Sequence, residues 1–165
     1  MWEIVEGEFD RYPGQKKVAR FIMDNGLSVK DNEVWLDKIR VSKSELAKAV
    51  DVDKRVVFAT LRTVSERPKL ASVFSKLKPS CSLVDVASEM GWDVLAITLS
   101  DPAIPGVLGN VATTIGKANV SIRQAIGEDP TFSSGLLYII TETTIPGNVI
   151  SEIRKLPGVK TVTMM

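Results

Sequence analysis

The sequence predicts an α+β protein in two parts. A mainly helical domain spans residues 11–78, a linker helix follows within 79–92, and a domain of four strands and two helices spans 93–165. Three observations carry this. In the first half, apolar residues recur every three or four positions between capping residues, the period of helices with one buried face. In the second half, strand-like and helix-like segments alternate in the order strand, helix, strand, twice over. Three Pro-Gly pairs, Pro105-Gly106, Pro146-Gly147 and Pro157-Gly158, punctuate that half. A chain of 165 residues suffices for one large or two small domains.

Taken in order, Pro13 suits the first turn of a helix. Val18, Phe21 and Ile22 give that helix an apolar stripe beside Lys16 and Lys17, and Gly26 ends it. Residues 27–36 read as two short strands around Asp31-Asn32. Ser42-Lys43-Ser44-Glu45 reads as a capping box, with Ser42 bonding forward and Glu45 reaching back. Leu46, Ala47 and Val50 form the buried face of the helix it opens. Asp51-Val52 makes a tight turn, and Asp53 caps a helix over 54–66 whose inner face is Val57, Leu61 and Val64. Leu70, Val73, Phe74 and Leu77 suggest a further helix closed by Pro79. Residues 82–90 read as the linker helix, capped by Ser82 and stopped by Gly91.

The second domain reads as strand 94–100, helix 107–118, strand 120–126, strand 135–143, helix 147–156 and strand 159–164. This is the split β-α-β, or ferredoxin-like, βαββαβ layout. A sheet so small leaves a face or an edge open and is often completed by a second copy.

Composition excludes several functions. There are no histidines, and Cys81 is the one cysteine. A structural zinc site and a Ser-His-Asp or Cys-His catalytic set are therefore not expected, and neither is any other metal site or cofactor. Cys81 lies in the linker, with nothing beside it to activate the thiol. No glycine-rich phosphate signature and no paired carboxylates at helix spacing occur, so an enzyme is not expected. No apolar run approaches the roughly 20 residues of a membrane span. The acidic N-terminal stretch is not expected to be a signal peptide, so the chain is expected to be cytoplasmic with no membrane partner. Charge is uneven. Residues 11–78 hold sixteen Lys or Arg against eight Asp or Glu, between acidic flanks, which suggests a polyanion partner.

The stretch SELAKAVDVDKRVVFATL resembles the helix-turn-helix family. Ala47 is the small residue where the two helices approach, and Val52 the apolar turn residue. Asp51 stands where family members usually have Gly. The resemblance implies that the second helix enters a DNA major groove by its N-terminal part. Lys54, Arg55, Thr60 and Arg62 are its polar positions outside the core, and Phe58 and Ala59 could meet a thymine methyl. Lys16, Lys17, Arg20, Lys43 and Lys48 are then candidates for phosphate contacts.

The second domain, with D-P-A-I-P-G-V-L before its first helix and A-N-V-S-I leading its second strand, resembles the ACT domain, a family of amino-acid-sensing regulatory modules. Joined to a helix-turn-helix, it looks like archaeal proteins described as predicted regulators of amino acid metabolism. The resemblance implies homodimers that pair through their first strands and bind a small amino acid at the seam. Carried onto this chain, Asp101, Pro105, Gly106, Val107 and Leu108 form the strand–helix loop. Asn119, Val120, Ser121 and Ile122 come from the neighbouring copy. Ala103 departs from the Asp or Asn that many members carry there. The expected function is an amino-acid-responsive regulator that binds DNA through its N-terminal domain. The alternative is a regulatory subunit or assembly protein that docks on an amino-acid biosynthetic enzyme without DNA binding.

Overall fold

A computed structural model describes residues 2–128 and 135–165. The protein is a mixed α+β chain with two antiparallel sheets, and it divides into two compact units, Met1–Cys81 and Ser82–Met165.

The first unit opens with α1 (Trp2–Phe9) and α2 (Pro13–Asp24). The helix α1 was not legible in the mixed, acidic N-terminal sequence. It forms because Val5 and Phe9, four apart, bury a common stripe. Pro13 occupies the first turn of α2, as expected, and Gly26 follows that helix at φ 59°. Three strands come next, β1 (Ser28–Lys30), β2 (Glu33–Leu36) and β3 (Ile39–Val41), paired in that order. Asp31 and Asn32 both take positive φ, the requirement of a tight hairpin with matching twist. The sequence pattern predicts two strands here, and the structure has three. The third is three residues long and largely exposed, too short for a two-residue period to register.

Three helices complete the unit: α3 (Lys43–Val50), α4 (Lys54–Glu66) and α5 (Pro68–Phe74). Pro68 starts α5 in the favoured first-turn position, and the helix stops at Phe74 rather than continuing through Leu77. Val18, Ile22, Leu46, Val57, Leu61, Leu70 and Phe74 are buried in this unit. Each fully buried side chain of this size contributes roughly 1.5–3 kcal/mol.

In the second unit, residues 82–90 are not a helix. They form turns ending in a short 3-10 segment, Ser88–Met90. The reason lies in their partners. The Ser82 hydroxyl accepts from the Val84 N–H instead of from the third residue on, and the Leu83 N–H donates to Gln124 Oε1 at 2.9 Å. Leu83, Val84, Ala87 and Trp92 pack on Val94, Tyr138 and Ile140, so the segment lies as a strap on one sheet face. Tertiary burial overrides helix propensity here.

The sheet consists of β4 (Asp93–Leu99), β5 (Ile122–Gly127), β6 (Leu136–Thr141) and β7 (Val159–Met164), ordered β5-β6-β4-β7 with every pair antiparallel. Helices α6 (Val107–Lys117) and α7 (Gly147–Ile153) cover the face opposite the strap. Their inner residues Val111, Ile115, Val149 and Ile153 share a core with Leu95, Ile97, Ile139 and Val162. One expectation needs correction. β4, the unit's first strand, lies between β6 and β7, so both its edges are used. Pairing between copies through first strands is closed off, and the open edges belong to β5 and β7.

Candidate functional sites: the α3–α4 face and the cavity beside α6

The α3–α4 pair is set by its caps. Ser42 Oγ accepts from the Glu45 N–H at 3.5 Å, half of the expected box. Glu45 does not complete it, because its carboxylate takes Lys48 Nζ at 3.0 Å. At the other end Asp51 adopts φ 56° and ψ 59°. The left-handed turn is thus made with Asp, which tolerates that region better than most residues. The Val52 N–H then donates to the Ala47 carbonyl, and Asp53 Oδ1 accepts from the Arg55 N–H at 2.7 Å to start α4.

This geometry turns Lys54, Arg55, Phe58 and Arg62 outward. Phe58 is 47 % exposed, and Lys43 Nζ and Lys54 Nζ lie 4.9 and 5.7 Å from its ring centroid. The cations hold the ring by attraction to its face. Ala59 is half-buried at the margin of this face. Thr60 does not belong to it. The residue is fully buried and its hydroxyl donates to the Val56 carbonyl at 2.8 Å. The inner stripe of α4 is therefore Val57, Thr60, Leu61 and Val64.

Several expected phosphate contacts already have carboxylate partners. Lys43 Nζ donates to Glu33 Oε1 at 2.6 Å and its side chain is only 15 % exposed. Lys16 pairs with Glu6 and Asp10, and Arg20 with Asp24; Arg62, one of the polar positions expected to face the groove, pairs with Glu66. Lys48 pairs with Glu45 as described. These lysines and arginines are partly neutralised, which shifts the outward charge of the face to Lys54 and Arg55. Neither has an ion pair among the described residues.

The Lys43 ammonium, hydrogen-bonded to Glu33, holds that carboxyl below its ordinary 4.5. A carboxyl depressed on folding gives stability that is complete above the unfolded-chain value and disappears as pH falls through the folded-state value. The first unit is expected to lose this contribution as pH drops below 4.5. Acid unfolding of the wild type and of Glu33→Gln tests this. The two stabilities should differ near neutrality and converge in stronger acid, and a constant offset would remove the ion pair as its source.

The second candidate lies beside α6. Asp101 is exposed, and its Oδ1 accepts from the Ala103 N–H at 2.8 Å. One carboxylate oxygen is thus spent on the loop. Pro105 is exposed, and Gly106 takes φ 85° and precedes α6 with no side-chain cap on the helix. Gly106, Val107 and Leu108 line a cavity of about 230 Å³. Its opposite wall, which sequence reasoning missed, comes from β5, the residue after it and β6: Ala125, Gly127, Glu128, Leu136 and Leu137. Strand register produces it, since Gly127 pairs with Leu137. No local motif signals such a pairing.

Asn119, Val120, Ser121 and Ile122 are not at this cavity within the chain. They follow the far end of α6, which at about 1.5 Å per residue lies about 16 Å away. Asn119 takes φ 58° as a helix terminator, Val120 is buried, and Ser121 is exposed. Ile122 packs against the core. The described residues include no helix long and apolar enough to cross a membrane. No protein-family model matches the chain, and no curated protein matches it.

Proposed function

We propose that this protein is an amino-acid-responsive regulator, with the first unit binding DNA through α4 and the second, ferredoxin-like and similar to the ACT domain, sensing a small amino acid. The observation that carries the reading is the outward face of α4, where Lys54, Arg55 and Phe58 follow a doubly capped left-handed turn. A helix presented by its N-terminal half, with cations and an apolar ring on its open side, suits a major groove. Ligand would act by binding two arrangements of a homodimer unequally.

The test is selection of a duplex from a random pool, followed by titration at two salt concentrations. Binding should weaken steeply with salt. Arg55→Ala should cost about 1–3 kcal/mol of affinity if the guanidinium reads a base. Unchanged affinity in that variant, or no salt-dependent binding at all, removes the reading.

One observation favours a second reading, docking on a biosynthetic enzyme. Phe21, Leu27, Leu36, Val41, Leu46 and Ala49 line a mainly apolar groove of about 310 Å³ in the first unit. In that case Leu36→Asp abolishes co-purification with the enzyme, and DNA affinity is absent in every variant.

A further inference from the structure

We propose that Glu33 and Lys43 are positioning residues for Phe58, and that the ring they hold in place reads the 5-methyl group of thymine. The proposal rests on the DNA-binding reading and deepens it. It also gives Lys43 a role other than the phosphate contact expected of it.

The elements β2, α3 and α4 converge on the ring. The β1–β2 turn places Glu33 opposite Lys30 at the start of β2. Val34, the next residue, is fully buried, so strand alternation turns Glu33 to the other face of the sheet. Ser42 caps α3, which makes Lys43 the first residue of that helix. From there the Lys43 ammonium donates to Glu33 Oε1 at 2.6 Å and stands 4.9 Å from the centroid of the Phe58 ring on α4. One ammonium group thus joins a carboxylate on the sheet to an aromatic ring on the helix. Arg40 on β3 adds to the attraction on the Glu33 carboxylate.

Exposure separates the roles. The Lys43 side chain is 15 % exposed, while Phe58 is 47 % exposed. A cation so enclosed, with a carboxylate already on it, is poorly placed to meet a phosphate. A phenylalanine alone on an open helix face moves between its allowed χ1 rotamers. Lys43 and Lys54 both lie within the range of cation–π attraction and favour the rotamer that brings the ring to them. Lys54 has no ion pair among the described residues, so Glu33 makes Lys43 the anchored one of the two. A ring ordered in advance avoids the cost of immobilising a side chain on binding. Phenylalanine suits the thymine methyl, the apolar group on the major-groove edge of the base pairs.

The test compares a duplex selected from a random pool with copies in which each thymine in turn is replaced by uracil, which removes only the methyl group. At one thymine the wild type should lose about fourfold in affinity, the effect of one buried methyl group. Phe58→Ala should show no such difference. Lys43→Gln should lower it to about twofold or less, because the ring must then be ordered on binding. Its slope of log affinity against log salt should stay unchanged. Glu33→Gln should likewise lose the thymine preference. Lys43→Arg keeps a cation for both the carboxylate and the ring and should restore the wild-type ratio. A ratio of two affinities in one variant does not move with the fraction folded. Without DNA, the three-bond couplings of the Phe58 side chain should report one χ1 rotamer in the wild type and averaging in Lys43→Gln.

A Lys43→Gln protein that keeps its thymine preference, binds every duplex more weakly and has a salt slope flatter by about one makes Lys43 a phosphate contact and overturns the proposal. Equal tightening of thymine and uracil duplexes in Glu33→Gln also overturns it, since the carboxylate is then a repelling charge only. An averaged Phe58 in the wild type, or indifference to uracil at every position, overturns it and leaves the DNA reading standing. No salt-dependent binding to any duplex removes the DNA reading and the thymine role with it.

Discussion

Replacing Gly26 with alanine is expected to lower the unfolding midpoint of the first unit by at least about 10 °C, or to prevent the unit from folding. Two costs add. Gly26 sits at φ 59°, and a left-handed backbone costs a Cβ-bearing residue about 1–2 kcal/mol. The space is also occupied. A Cβ there would lie 2.3 Å from the Lys78 carbonyl oxygen and 2.7 Å from the Pro79 Cα, both backbone atoms that cannot swing aside as a side chain can. Overpacking adds about 1–3 kcal/mol. For a domain of this size each kcal/mol moves the midpoint by roughly 4–8 °C. Gly91→Ala is the matched control. It has φ 70° and nothing within 4 Å of the added carbon, so it bears only the backbone cost. Scanning calorimetry of both variants separates strain from collision. Equal shifts would mean that the segment at 78–79 yields and that the close approach matters little.

Phe74→Ala is expected to destabilise the first unit by about 3–5 kcal/mol, the range for a large aromatic removed from a core. Phe74 is fully buried at the last turn of α5, in a unit whose strands are only three or four residues long. So small a sheet has little means to collapse into the void. Phe74→Leu keeps an apolar side chain at the site and should retain most of the stability. Urea unfolding of the two variants checks this through their midpoints at unchanged slope. A loss below about 1 kcal/mol for alanine would mean that the site closes up.

Local chemistry made much of this fold legible. Pro13, Asp53 and the three Pro-Gly pairs act through neighbours within a few residues, and the boundaries they mark are close to those observed. Leu46, Val50, Val57, Leu61 and Val64 followed from period alone. Thr60 was open to the same arithmetic. It stands three residues from Val57 and four from Val64, on the inner stripe, and polarity alone drew it outward. The strap at 83–92 and the second cavity wall were beyond reach. One depends on which sheet face lacks helices, the other on which residue of β6 lies opposite Gly127. Both are facts of long-range pairing, which a one-dimensional pattern does not hold. The neutralising partners of Lys16 and Lys43 were hidden for the same reason, since Glu6 and Glu33 lie ten residues away and meet them only after folding.

The interior place of β4 bears on how the second unit is made. β4 is the first strand of its sheet to leave the ribosome, and neither of its partners, β6 and β7, has then been synthesised. At about 5–20 residues per second, the roughly forty residues from Leu99 to Thr141, where β6 ends, take several seconds to appear. Until then DVLAITL, rich in branched apolar side chains, has no neighbouring strand on either edge. A ribosome that stalls before β6 leaves this strand open to pairing with strands of other chains.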